Sequence, residues 1–267
     1  MRIERGAILV LVGLLVAFLG LPVAVLVIRA VAGGALASAI GDPIVLQALL
    51  LSVGTTAVSL LLTVLLGTPL AYVLARRRFF GASVLETIVH LPIVLPPSVA
   101  GLALLLVFGR RGLFAGPLDV LGVTIPFTTI AVILAQTFVS APFFIRSART
   151  GIAGVDRDLE DAARVDGASE RQLFRAVTMP LASAALAAGL VMTWARSLGE
   201  FGATIMFAGN VEGRTQTLPL VVYGEFQGGD LDASIAAAAI LVIAAFGVLV
   251  AVRVFHWGRV LDARGLA

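Results

Sequence analysis

The sequence predicts an all-α fold, a polytopic membrane bundle of six transmembrane helices, and three observations carry that expectation. Mean hydropathy is +1.06, with 60% of residues hydrophobic and 13% charged, whereas a water-soluble domain needs a surface of roughly a quarter charged residues. Charge-free runs recur along the chain, each near or above the ~20 residues a spanning helix requires. The charges that remain collect between those runs.

The runs are Gly6 to Ile28, Pro43 to Ala75, Thr87 to Gly109, Val120 to Ile145, Ala176 to Ala195 and Ala233 to Val252. The first follows a basic start, Arg2 and Arg5, and precedes the small-residue stretch Ala35 to Ala39, as in a secretory leader. Its 23 uncharged residues exceed the roughly 7 to 15 of a leader's apolar region, so a retained helix is expected. The third run holds Pro92, Pro96 and Pro97. These residues lack backbone donors and clash with preceding carbonyls, so this span is expected to be kinked or broken, with His90 at the break.

Arginine placement sets the orientation. With the N-terminus inside, fourteen of the nineteen basic residues, all Arg, fall on the cytoplasmic side: Arg2, Arg5, Arg76 to Arg78, Arg146, Arg149, Arg157, Arg164, Arg171, Arg175, Arg253, Arg259 and Arg264. Four fall outside, at Arg29, Arg110, Arg111 and Arg214, and Arg196 alone lies in a span. Both termini are then cytoplasmic in a cell-membrane protein surrounded by lipid. The chain reads as a single transmembrane domain, 1–267, with its core at about residues 47–256 and a cytoplasmic loop at 147–180 between the fourth and fifth spans.

Composition also excludes. Without cysteine there is no disulfide, thiolate metal site or Cys nucleophile. Without lysine there is no Walker A loop, which needs a Lys to reach the β/γ-phosphates, so the chain is not expected to hydrolyse ATP. The net charge of +3 is spread among loops and makes no case for nucleic acid. No metal-ligand spacing and no catalytic constellation stand out. A membrane-embedded enzyme using His90, Glu86 or Glu200, and a passive anion channel, remain as alternative readings of the residues.

The loop is the polar exception: "DRDLEDAARVDGASERQLFRAVTMP", Asp156 to Pro180, carries ten charged side chains. Asp158 or Asp156 is placed to cap a short helix through "LEDAARV", Leu159 to Val165, which holds Glu160, Asp161, Ala162 and Ala163. Gly167 is placed to end it in the left-handed conformation, followed by Ala168. Ser169 and Gln172 form a capping box for a second helix, and Pro180 is expected to close the unit at the membrane. A solvated connector carrying positive-inside charges is the plainer alternative.

Asp161-Ala162-Ala163, then Gly167, then Val177-Thr178-Met179-Pro180 resembles the EAA loop of permease subunits of binding-protein-dependent ABC importers, a family that places Glu-Ala-Ala, Gly and Ile-x-Leu-Pro at these intervals. The resemblance implies a type I importer permease fold, a homodimer, and two ATPase subunits that bind ATP and Mg at the cytoplasmic face. The docking unit would be Leu159, Glu160, Asp161, Ala162, Ala163, Gly167, Ala168 and Pro180.

Further on, "TWARSLGEFGATIMFAGNVEGRTQTLPLVVY" places Thr193, Arg196, Ser197, Glu200 and Thr204 at i, i+3, i+4, i+7 and i+11, one polar stripe if the segment is a single helix. Charges at membrane depth cost roughly 3 kcal/mol each, so they are expected to face the bundle interior or a water path, as a structural ion pair or as part of a translocation pathway. This segment, with "LPIVLPPSVAG" and "LAQTFVSAPF", resembles the molybdate permease subgroup from about Gln47 onward. That resemblance implies an extracytoplasmic oxyanion-binding protein that delivers molybdate, with tungstate or sulfate and thiosulfate as alternative cargo. No cofactor or metal is expected on this chain.

Overall fold

In the computed structural model, residues 2–264 are described, with side chains over 6–250. The side chains of Arg2, Arg5, Arg253, Arg259 and Arg264, all counted toward the inside, therefore lie outside the described residues. Among the described residues the chain is helical: α1 Arg2–Ala32, α2 Ala35–Ile40, α3 Pro43–Arg76, α4 Ala82–Val94, α5 Pro97–Phe108, α6 Ala115–Val120, α7 Thr129–Ala153, α8 Arg157–Val165, α9 Glu170–Leu173, α10 Met179–Leu198, α11 Gly202–Ala208, α12 Leu218–Gly228 and α13 Leu231–Arg264.

Five continuous helical segments are long and apolar enough to cross a bilayer: Gly6–Ala32, Pro43–Arg76, Thr129–Ala153, Glu170–Leu198 and Leu231–Val250. The pair α4 and α5, bent by 118° at the break between them, is together apolar enough to count as a sixth candidate. Helix α4 runs through His90 and Pro92 and stops at Leu95, whose own N–H still reaches Leu91. Pro96 and Pro97 then restart the chain as α5, Pro97 standing at a first-turn position where no donor is needed. His90 is thus within a helix rather than at the break. The small-residue stretch after α1 is helical too, as α2.

Two span boundaries differ from the expected ones. Val120 to Thr128 is not part of the fourth span, because Gly122 takes φ +65° and Pro126 interrupts before Thr128 caps α7. At its other end α7 continues through Arg146 and Arg149 to Ala153. Long basic side chains snorkel along a helix to the interface, so their charge does not end it. The fifth span likewise begins at Glu170, so the 147–180 loop is mostly helix and only Gly154 to Ser169 lies between the two spans.

Helix α7 is the centre of the bundle, packed against α3 on one side and α10 on the other. Small residues permit the approach: a Cβ on Gly189 would stand 2.8 Å from Ser147 Cβ. Lipid tails are as apolar as the helices, so close packing and polar contacts hold such interfaces. Gly189→Val is accordingly expected to force α7 and α10 apart and destabilise the chain by ~1–3 kcal/mol, read as a lowered Tm in detergent. An unchanged Tm would show that this contact is not tight.

Candidate functional site

The charged unit between the fourth and fifth spans is built by local backbone chemistry. Asp156 caps α8, its carboxylate accepting the Asp158 N–H at 3.0 Å. At the far end, Gly167 takes φ +86°, its N–H donates to the Arg164 carbonyl and the Ala168 N–H donates to that of Ala163. This is a Schellman stop, and it needs a residue that enters the left-handed region without penalty. Ser169 and Gln172 form the expected capping box and start α9.

Pro180 does not close the unit. The helix that begins at Glu170 passes through one π-helical turn, Phe174–Thr178, and continues as α10. Met179 N–H reaches back five residues to the Phe174 carbonyl, a widened turn that accommodates the proline within the helix. The second helix of the loop is thereby the first turn of the spanning helix, one rigid rod.

The predicted docking residues divide. Leu159, Asp161, Ala162, Gly167 and Pro180 are exposed, and Ala163 and Ala168 are half-buried. Glu160 is buried and faces inward. Its Oε1 accepts from Arg76 Nη2 at 2.7 Å and from the Thr178 hydroxyl at 2.8 Å, while Arg76 also donates to the Val155 carbonyl at 3.1 Å. Glu160 therefore lies on the inner side of α8 and fixes it to α3 and to the π turn. Sequence reasoning missed the two partners, Arg76 and Thr178. On the exposed side Arg164 clasps Asp161 at 2.6 Å and Glu170 at 2.9 Å. The hydrogen bond that Arg164 donates to the Glu170 carboxylate raises its guanidinium above the ordinary range. Leu159 and Val165 stay exposed on this otherwise charged helix. A second cross-tie joins Glu86 on α4 to Arg149 on α7.

The polar stripe lies not on one helix but across a break. Helix α10 ends at Leu198 with Gly199, and Glu200 sits in the gap before α11. There its Oε1 accepts the Ala203 N–H at 2.7 Å, satisfying a donor of the next helix. Its Oε2 lies 2.6 Å from Arg196 Nη2, an ion-pair contact whose angles fall outside a hydrogen bond. Thr193, Ser197, Glu200 and Thr204 are each at most 1% exposed, whereas the Arg196 side chain is 27% exposed. Arg196 alone among the five is not fully buried.

Behind this group runs a polar seam that the sequence reading did not single out. Ser52, Thr56, Ser59 and Thr63 recur at heptad-like spacing on the buried face of α3, opposite Gln136, Thr137 and Ser140 of α7. Ser52 Oγ accepts the Leu218 N–H at 2.7 Å and fixes the start of α12; Gln136 Nε2 lies 3.4 Å from Thr56 Oγ1, and Thr137 bonds Ser59 at 3.0 Å. The 3.5-residue spacing of the hydroxyls in "LSVGTTAVSLLLT" is the signal that would have found it. Among the described residues no cluster of His, Cys, Asp or Glu could hold a metal ion.

Residues 67–262 match the model of the "binding-protein-dependent transport system inner membrane component" family. The chain belongs to this family. Relatives include the molybdenum transport system permease protein ModB of Mycobacterium bovis, 46% identical over 74% of this chain and 75% of that protein. ModB of Escherichia coli K12 is 40% identical over 70% of this chain and 83% of its own length. A probable molybdenum ABC transporter permease protein of Haloferax volcanii is 40% identical over 93% and 89%. The fold is that of a chain in a bacterial ABC transporter involved in alginate import, with TM-score 0.78 at 18% identity over 97% of this chain and 95% of that one. It is a permease of multi-pass membrane type.

Proposed function

We propose that this chain is the membrane-spanning subunit of an ABC importer that moves molybdate inward. Two copies form the pathway, two ATPase subunits dock on the cytoplasmic face, and an extracytoplasmic binding protein delivers the oxyanion. The observation that carries the reading is the α8 unit. It presents Leu159, Ala162 and Gly167 to solvent while Glu160 ties its inner side to two spanning helices, a surface built to receive a partner and pass its motion on. The names of relatives at 40–46% identity support molybdate.

Energy enters through the partner, since the chain has no lysine for a phosphate loop. When the ATPase moves α8, the Glu160 tie and the continuous Glu170–Leu198 rod carry that motion to the span, where α10 ends beside Glu200 and Arg196. Arg196 offers a tetrahedral dianion a charge that Glu200 already partly satisfies, so attraction is sufficient for passage and too weak for capture. In this reading both termini are cytoplasmic, ATP and Mg reside on the partner, and selectivity rests mainly with the binding protein.

Gly167 supplies the test. Nothing lies within 4 Å of a Cβ built on it, so in the free chain a side chain meets only the backbone strain of φ +86°. Asn tolerates that region and Val does not. If an ATPase surface closes over the turn, both Gly167→Asn and Gly167→Val reduce co-purification of the ATPase roughly tenfold or more. Undiminished assembly by both would remove the docking role.

A further inference from the structure

An arginine-lined cavity opens at the elbow after α3. The chain leaves that helix as Arg76-Arg77-Arg78-Phe79-Phe80-Gly81, and a cavity of about 510 Å³ opens there between the elbow, the end of α7 and the start of α8. Arg76, Arg77, Arg78, Arg149 and Arg157 line it, together with an apolar wall that includes Phe79; no acidic residue is part of the lining. Two of the five cations are already neutralised, Arg76 by Glu160 and Arg149 by Glu86. Among the described residues Arg77, Arg78 and Arg157 have no ion-pair partner, and all three are exposed. Arg78 and Arg157 line this cavity alone, whereas Arg77 is shared with the neighbouring pocket lined by Arg164 and Glu170.

The shared chemistry is a tetrahedral oxyanion, for which the planar guanidinium fork is well matched. The surroundings say which kind. The cavity sits at the C-terminal end of the apolar span Pro43–Arg76, its wall is part hydrocarbon, and Phe80 beside it is fully exposed, as a ring set among acyl chains would be. Basic pockets at the cytoplasmic ends of membrane helices hold anionic lipid headgroups. A free oxyanion has no use for the apolar wall. We propose that this cavity holds the phosphodiester headgroup of an anionic phospholipid, resting on the cytoplasmic placement of this elbow given above. Because Arg157 is the first residue of α8, the bound headgroup would brace the docking helix against the bilayer.

The experiment uses the full chain in detergent and reads the binding of spin-labelled phosphatidylglycerol, with thermal unfolding as the measure of folding. Wild type is expected to take up phosphatidylglycerol and gain stability from it. R77Q/R78Q/R157Q is expected to lose affinity roughly tenfold or more, and Arg78→Gln alone a smaller part of that, should the triple variant fold poorly. Arg175→Gln removes an exposed charge outside the cavity lining and is expected to change nothing. Equal phosphatidylglycerol binding by wild type and both cavity variants overturns the site. Displacement of the lipid by millimolar inorganic phosphate, with phosphate itself stabilising the chain in phosphatidylcholine micelles, overturns the lipid assignment in favour of a free oxyanion. Either result leaves the importer reading intact, because neither measures transport.

Discussion

Glu160→Ala is expected to destabilise the chain by ~3–5 kcal/mol, because it strands Arg76 in a buried site without its counter-charge. The Arg76 and Glu160 side chains are only 9% and 3% exposed, and the Thr178 hydroxyl loses its acceptor at the same time. The loss should appear as a large drop in Tm and as poor recovery of the chain from membranes. A second variant separates folding from coupling. R76M/E160L replaces the pair with apolar side chains of similar reach and is expected to regain most of the stability, since a well-packed apolar pair often equals a buried ion pair. It is still expected to transport poorly, because α8 has lost its directed tie to the π turn. Full transport by the double variant would show that the pair serves stability alone.

Arg196→Ala is expected to lower uptake tenfold or more while ATPase co-purification stays normal. Arg196 is the one member of the ion pair open to solvent, at 27% exposure against 1% for Glu200. Removing it leaves Glu200 with one retained bond, to the Ala203 N–H, so a moderate fall in Tm should accompany the transport defect. Arg196→Lys keeps the charge but not the fork geometry and should recover part of the uptake. Normal uptake by Arg196→Ala at equal expression would reduce the pair to a structural contact.

What was legible in the sequence follows the range of the forces involved. The ends of the helices in the α8 unit were readable, since an aspartate cap, a left-handed glycine and a capping box are each settled within six residues. The five continuous spans and the break in the proline-rich one were readable because bilayer thickness sets span length and proline interrupts a helix. Boundaries were less so, because freedom from charge does not separate an apolar loop such as Leu121 to Thr128 from a helix. The inward turn of Glu160 depends on Arg76, 84 residues away, a distance at which pattern carries no register. The break after Leu198 was hidden by the apparent stripe: Glu200 keeps the expected pairing with Arg196 while serving α11 through its other oxygen.

The most direct test of the central claim is uptake into proteoliposomes holding this chain, its ATPase and the cognate binding protein, with molybdate, tungstate and sulfate compared at equal concentration. The account predicts molybdate uptake that requires ATP, the ATPase and the binding protein together, at a rate at least tenfold above sulfate. Flux that persists without ATP or partner would contradict it, and sulfate uptake equal to or above molybdate would contradict the assigned cargo.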